Sequence, residues 1–331
     1  MLRRLSLLAL VAILALGTST AWYVRRALTT EVRPPASGVV VTIPPGASFR
    51  AIAAKLQRAG VLRHPLLLTL WARYRGDDRA VRSGEYRLEE PVSPLRLLEI
   101  LRSPSRALRW VTIPEGLTAR QVAETLEEAG FGGRDVFRCV MEDPAIAADF
   151  DLPSTGVEGY LFPDTYAFDW ATPPAEIVRL LLERFRQESA ALRERRIASG
   201  LTEAEMVTLA SVIEKETGSA EERALISGVF HNRLRIGMRL QSDPTVLYGR
   251  GPASGPITRE DLANPSPYNT YAHSGLPPGP IANPGRASLQ AAIAPQETKA
   301  LYFVSRNDGS HEFSNSLAEH NRAVHRFQLG R

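Results

Sequence analysis

Thr202-Glu-Ala-Glu-Met-Val-Thr-Leu-Ala-Ser-Val-Ile-Glu-Lys-Glu-Thr217 contains both a helix start and two carboxylates set among apolar residues. Thr202 and Glu205 have the spacing of a capping box, a hydroxyl at the N-cap and a carboxylate three residues on, so a helix is predicted from about Glu203. Met206, Leu209, Ala210 and Ile213 recur at helical spacing and define its buried face. At about 100° per residue, Glu214 falls on one shoulder of that face near Val207 and Ala210. Glu216 falls on the other shoulder near Leu209 and Val212, and Lys215 points away. Burial raises a carboxyl pKa, which is how a glutamic acid keeps a proton near neutral pH and donates it to a leaving oxygen. The same pattern also fits an amphipathic helix whose shoulder charges pair with Arg or Lys. Spacing alone leaves both open.

The rest of the chain supplies the context. At 331 residues it is long enough for two or three domains. Its 40 basic and 36 acidic residues leave a net charge of only +4, and the arginines are scattered among acids, so composition gives no nucleic-acid footprint. Lysine occurs only at 55, 215 and 299. The single cysteine, Cys139, excludes an intramolecular disulfide, and next to apolar neighbours it reads as a buried thiol. Leu5 to Val24 carries no charge and is bracketed by Arg3-Arg4 and Arg25-Arg26. As a helix it would span about 30 Å, enough for a bilayer core, with Trp22 and Tyr23 at an interface. A cleaved signal peptide ending near Ser19-Thr20-Ala21 is the competing reading. An uncleaved anchor with the body outside is expected.

An internal repeat follows the Pro-rich linker. Thr42-Ile-Pro-Pro-Gly46 matches Thr112-Ile-Pro-Glu-Gly116, and the helices after them match at Arg50/Arg120, Ala53/Ala123, Leu56/Leu126 and Ala59-Gly60/Ala129-Gly130. Each copy reads as a strand ending at Pro, a Gly turn, an N-cap at Ser48 or Thr118, and an amphipathic helix closed by Gly. In the first copy a second helix is expected at Pro65 to Arg75 and a returning strand at Glu85 to Leu88. That order of strand, helix, helix, strand resembles LysM modules, which bind N-acetylated glycans. A duplicated packing unit with no ligand fits it equally.

From Gly156 onward the texture changes. An aromatic, turn-rich strand segment, Glu158 to Tyr166, precedes a long helix at Pro174 to Arg196, the glutamate helix, and a further helix at Glu221 to Leu234. Gln241 to Thr245 reads as a polar loop. Asn264 to Gly285, rich in Pro, Gly, Asn and Tyr, has no period, and so long an irregular stretch is usually functional. A hairpin at Leu301 to Ser305 and His311 to Ser314 and a helix at Ser316 to Phe327 close the chain.

Four ordered blocks now carry a family resemblance: Glu158-Gly-Tyr-Leu-Phe-Pro-Asp-Thr-Tyr166, Ala210-Ser-Val-Ile-Glu-Lys-Glu-Thr217, Asn232-Arg-Leu-Arg-Ile-Gly-Met-Arg-Leu-Gln-Ser-Asp-Pro-Thr-Val246, and Ser266-Pro-Tyr-Asn-Thr-Tyr271 with Gly275-Leu-Pro-Pro-Gly-Pro-Ile281. They resemble the signature blocks of the endolytic murein transglycosylases, the MltG or YceG-like family. The resemblance implies that Glu214 is the catalytic acid and base. It also implies a LysM-like part, an inner-membrane anchor with a periplasmic body, cleavage inside nascent peptidoglycan strands, and work beside cell-wall synthases, the penicillin-binding proteins. Glu158, Tyr160, Gln241, Asp243, Asn269 and Tyr271 match the blocks and are expected along a glycan groove, with a loop-holding role open for each; Glu216, in the same motif as Glu214, is expected to bind and orient substrate or to tune Glu214. No cofactor and no metal is expected: the six histidines lack paired-ligand spacing, and no nucleophile elbow or phosphate loop occurs.

The expected architecture is α+β, with a tail at 1–4, a membrane helix at 5–24, a linker at 25–38, tandem LysM-like units at 39–155 and a catalytic domain at 156–331.

Overall fold

The computed structural model describes residues 2–35, 38–103, 109–153, 156–169, 172–251 and 255–330, without the side chains of 2–13 and 87. The fold is α+β, with 14 α-helices and six short strands among the described residues. The chain divides into two compact units, 1–110 with 167–172, and 111–166 with 173–331.

In the first unit, β1 (Val39–Ile43) pairs antiparallel with β2 (Gly84–Leu88), Val41 opposite Tyr86 and Ile43 opposite Gly84. Val41, Ile43, Tyr86 and Leu88 alternate onto one buried face. A long helix α1 (Leu2–Thr29) precedes β1, and between the strands lie α2 (Phe49–Arg58) and α3 (Pro65–Arg75). Ser48 caps α2 by accepting the Ala51 N–H, and α3 ends at Gly76 with φ +73°. Leu56, Leu68 and Leu97 and Leu101 of α4 (Pro94–Arg102) are fully buried, and Leu28 of α1 joins the same core. The expected strand, helix, helix, strand order is therefore present in this copy. No described helix is long and apolar enough to cross a membrane. The anchor expected at 5–24 lies within α1, and the side chains of its residues 5–13 are outside the described residues.

The second unit starts inside the second copy of the repeat. The division falls inside β3 (Arg109–Thr112) and β4 (Thr165–Phe168), of which 111–112 and 165–166 belong to the second unit, with α5 (Ala119–Glu128), α6 (Arg134–Met141) and α7 (Pro144–Asp149) between them. Thr118 and Gln121 form a full capping box on α5. The expected tandem region of 39–155 is thus divided at 110/111, and its second copy folds with the glutamate helix. Cys139 is exposed, against expectation. On α6 the positions four apart, Phe137 and Met141, take the buried face, and Cys139 lies about 200° round from Phe137.

The remaining elements are α8 (Pro174–Ser199), α9 (Glu203–Glu216), α10 (Arg223–Arg235), α11 (Asp243–Arg250), α12 (Arg259–Ala263), α13 (Arg286–Ile293), the hairpin β5 (Tyr302–Ser305) and β6 (His311–Ser314), and α14 (Leu317–Val324). The glutamate helix α9 begins where the capping box predicts. Met206 through Ile213 are all buried, so α9 is the centre of the core. Residues 264–285 hold no helix or strand, as expected. The loop read at Gln241 to Thr245 instead turns into α11 at Asp243, with Pro244 in its first turn.

Candidate active site

The last turn of α9 brings Glu214 to the edge of the core. Ser211, one turn earlier, accepts the Ile281 N–H at 3.0 Å and donates to Thr208 O at 2.7 Å, which fixes the irregular 264–285 segment against the helix. Glu214 Oε2 accepts the Gly285 N–H at 3.0 Å, and Oε1 lies 3.7 Å from Arg223 Nη2 at the start of α10. Its side chain is 8% exposed. The turn before α5 closes over it: Gly116 has φ +76°, and a Cβ there would sit 3.6 Å from Glu214 Cγ. Lys215 donates to Gly116 O at 3.1 Å, so the neighbour of Glu214 pins the same turn.

Asn283, absent from the expected set, organises this region. Its backbone accepts from Gly116 N–H at 2.9 Å and donates to Leu117 O at 2.8 Å. Its side-chain amide donates to Leu117 O at 2.8 Å and Glu158 Oε1 at 3.2 Å, and its Oδ1 accepts the Leu161 N–H at 2.9 Å. Asn283 is fully buried, and it joins three segments that the sequence separates widely. The only local signal was the Asn283-Pro284-Gly285 turn composition.

Glu158 accepts the Ala119 N–H at the head of α5, at 3.0 and 3.2 Å, and the Tyr248 hydroxyl at 3.3 Å. Burial pushes its carboxyl up to about 7, opposed by those hydrogen bonds. A cleft of about 1040 Å³ opens beside it, walled by α5, α6 and α7 and reaching Tyr248. Glu214 is not part of that cleft's wall.

Glu216 points to the other shoulder, as the helical angle requires, and accepts the Ser242 hydroxyl at 2.6 Å. Its carboxyl is pushed up to about 7, chiefly by burial and further by Asp243, against the Ser242 bond, His311 and Arg233. Nearby, the Tyr271 hydroxyl donates to Asp243 at 2.7 Å, and Gln241 stands exposed at φ +49° with its N–H on Thr270 O. Two expected groove residues are in the interior instead. Tyr160 is 1% exposed and packs edge-on against Phe185. Asn269 is buried with its amide on the carbonyls of Leu262 and Asn264 and its Oδ1 on the Tyr271 N–H, which makes it a loop organiser.

The raised carboxyls have a consequence for stability. Between pH 4.5 and about 7 the folded state keeps protons on Glu158 and Glu216 that the unfolded chain has released. Stability therefore falls as pH rises through that window, by at most about 3 kcal/mol per group. Glu216→Gln keeps an acceptor for Ser242 and removes the titration. Thermal melts at pH 5 and pH 8 should show the wild type losing several degrees more than this variant. Equal losses would mean that Glu216 is not held protonated.

Comparison with known proteins agrees over most of the length. The YceG-like family model matches residues 41–326. A Bacillus subtilis protein named endolytic murein transglycosylase is 31% identical over 87% of this chain and 84% of its own length. Proteins of the same name from two Streptococcus pneumoniae strains are 30% identical over 86% of this chain, which spans 58% of their length. A crystal structure of a YceG-like protein from Listeria monocytogenes superimposes with a TM-score of 0.65 at 31% identity, covering 86% of this chain and 98% of that one. The chain belongs to the YceG-like family and is an enzyme of the lytic transglycosylase class.

Proposed function

We propose that this protein cleaves the β-1,4 bond between N-acetylmuramic acid and N-acetylglucosamine within peptidoglycan strands and leaves 1,6-anhydro ends, with Glu214 as acid and then base. The observation that carries this reading is the state of the Glu214 carboxylate. It is nearly buried, one oxygen is oriented by a backbone N–H, and its nearest cation stands off at 3.7 Å. A tight bidentate arginine would hold it as a permanent anion. A single guanidinium nitrogen at 3.7 Å is no such clamp.

The step balances without water. Glu214 gives its proton to the glycosidic oxygen, and the bond from that oxygen to C1 of the muramic acid breaks. The C6 hydroxyl of the same sugar closes on C1, and its proton passes to the Glu214 carboxylate, which is ready for another turnover. Hydrolases generally employ two carboxylates at a set separation, one of them to activate water or attack the sugar. An internal hydroxyl nucleophile removes that requirement.

The uncharged run at 5–24 supports an inner-membrane anchor with the body outside, where growing strands and the penicillin-binding proteins that make them are within reach. The βααβ copy at 39–88 supports a LysM-like contact with glycan. Exposed Gln241 and Asp243, and Tyr271, supply hydroxyl- and amide-binding groups for such a strand.

The test is mass spectrometry of the products formed from purified peptidoglycan by the full chain in mild detergent. Internal fragments with anhydro ends are expected. Reducing ends would replace this reading with a hydrolase that admits water, and intact glycan would replace it with a glycan-binding scaffold.

A further inference from the structure

A second carboxylate lies against the glycine whose N–H holds Glu214. A methyl group at Gly285 would collide with the carboxylate of Glu115, so only a residue without Cβ lets that side chain lie against the 285 backbone. The Gly285 N–H is the group that holds Glu214 Oε2. Glu115 and Glu214 therefore meet at one glycine, with Arg223 facing the pair. Glu115 is on the exposed side and Glu214 on the buried side. In the first copy of the repeat the position matching Glu115 is Pro45, so the carboxylate is particular to the copy that folds over α9.

We infer that Glu115 is a positioning residue for Glu214, a like charge at the mouth of the site that keeps one proton in the pair until higher pH. The inference rests on the proposed acid and base role of Glu214. Partial desolvation raises the Glu115 carboxyl and the charge of Glu214 raises it further, while Arg223 lowers it. The Glu214 charge thus acts on Glu115 across one glycine backbone. The charges next to Glu214 and Gly285 in sequence, and Asp243 beside Glu216, are engaged elsewhere. Lys215 is on Gly116 O, Glu216 on Ser242, Asp243 on Tyr271, and Arg286 of α13 on Glu188 of α8.

The sign follows from repulsion. Removing the Glu115 charge makes ionisation of the pair easier, so the proton needed for glycosidic cleavage is lost at lower pH. In Glu115→Gln the alkaline limb of the pH profile of kcat should move down by about half to one unit, a three- to tenfold rate loss above the limb, with KM changed less than about twofold. Because Glu115 is solvent-exposed, the shift should shrink in high salt. The profile is measured on full chain with purified peptidoglycan, counting anhydro ends. An unmoved limb in a folded variant overturns the inference and leaves the proposed function standing. Absence of anhydro ends from the wild type overturns the proposed function itself.

A second measurement decides the inference if Glu115→Gln does not fold. Coupling is reciprocal, so the Glu115 carboxyl, followed by carbon NMR, should titrate at lower pH in Glu214→Gln than in the wild type. An unchanged midpoint overturns it.

Discussion

Glu214→Gln should lower kcat by about 10² to 10⁴ and leave KM within about threefold, the signature of a group needed in the transition state and not for binding. At about 1.4 kcal/mol per tenfold, that loss corresponds to about 3 to 6 kcal/mol of transition-state stabilisation. The structural cost of the same change is smaller. The Gln oxygen still accepts the Gly285 N–H, and only the 3.7 Å approach to Arg223 loses its charge attraction. One weakened interaction of this kind costs about 1 kcal/mol, or a few degrees in the melting temperature. A rate loss of a hundredfold or more beside a melt shifted by a few degrees therefore separates chemistry from unfolding. Alanine is the poorer probe, because it leaves the buried Gly285 N–H without an acceptor and adds about 1 to 3 kcal/mol of destabilisation. A Glu214→Gln enzyme that keeps more than a tenth of the wild-type rate would remove Glu214 from the reaction.

The part of this site that could be read in the sequence is the part that lies on one helix. The Thr202 cap fixes where α9 starts, and a constant angle per residue then sends Glu214 and Glu216 to opposite shoulders, where they take separate partners. The partners themselves are not local. Gly285 is 71 residues from Glu214, and Glu115 and Asn283 come from a turn and an irregular loop that have no period to read. Tyr160 and Asn269 show the converse limit. Both stand in motif blocks rich in polar and aromatic residues, but their neighbours in space, Phe185 and the carbonyls of 262 and 264, decide that they are buried. The start of α11 carried a usable signal, since Ser242-Asp243-Pro244 places a small N-cap, an acid and a proline in the order of a first helical turn.

Gly159→Ala should destabilise the second unit by about 4 kcal/mol, lowering its melting temperature by about 10 °C, since each kcal/mol shifts a domain of this size by about 2 to 4 °C. Two costs combine. Gly159 has φ +88°, where a residue with a Cβ pays about 1 to 2 kcal/mol. The new methyl would also run into Cβ and Cγ of Pro280 and stand 2.9 Å from Val207 Cγ1. Pro280 is a rigid ring joined to Ile281, whose N–H is held by Ser211, and Val207 is fully buried on α9. Neither can yield without moving α9 or the segment that leads to Gly285, so an overpacking cost of about 1 to 3 kcal/mol is added. Gly237→Ala separates the two terms. It has φ +70° but open space around the Cβ position, so it should show the backbone cost alone. If both variants melt together, Pro280 and Val207 do not confine Gly159. If Gly159→Ala melts about 5 °C or more below Gly237→Ala, and its kcat falls at temperatures where it is still folded, the contact that packs the core also sets the position of the Gly285 N–H on Glu214.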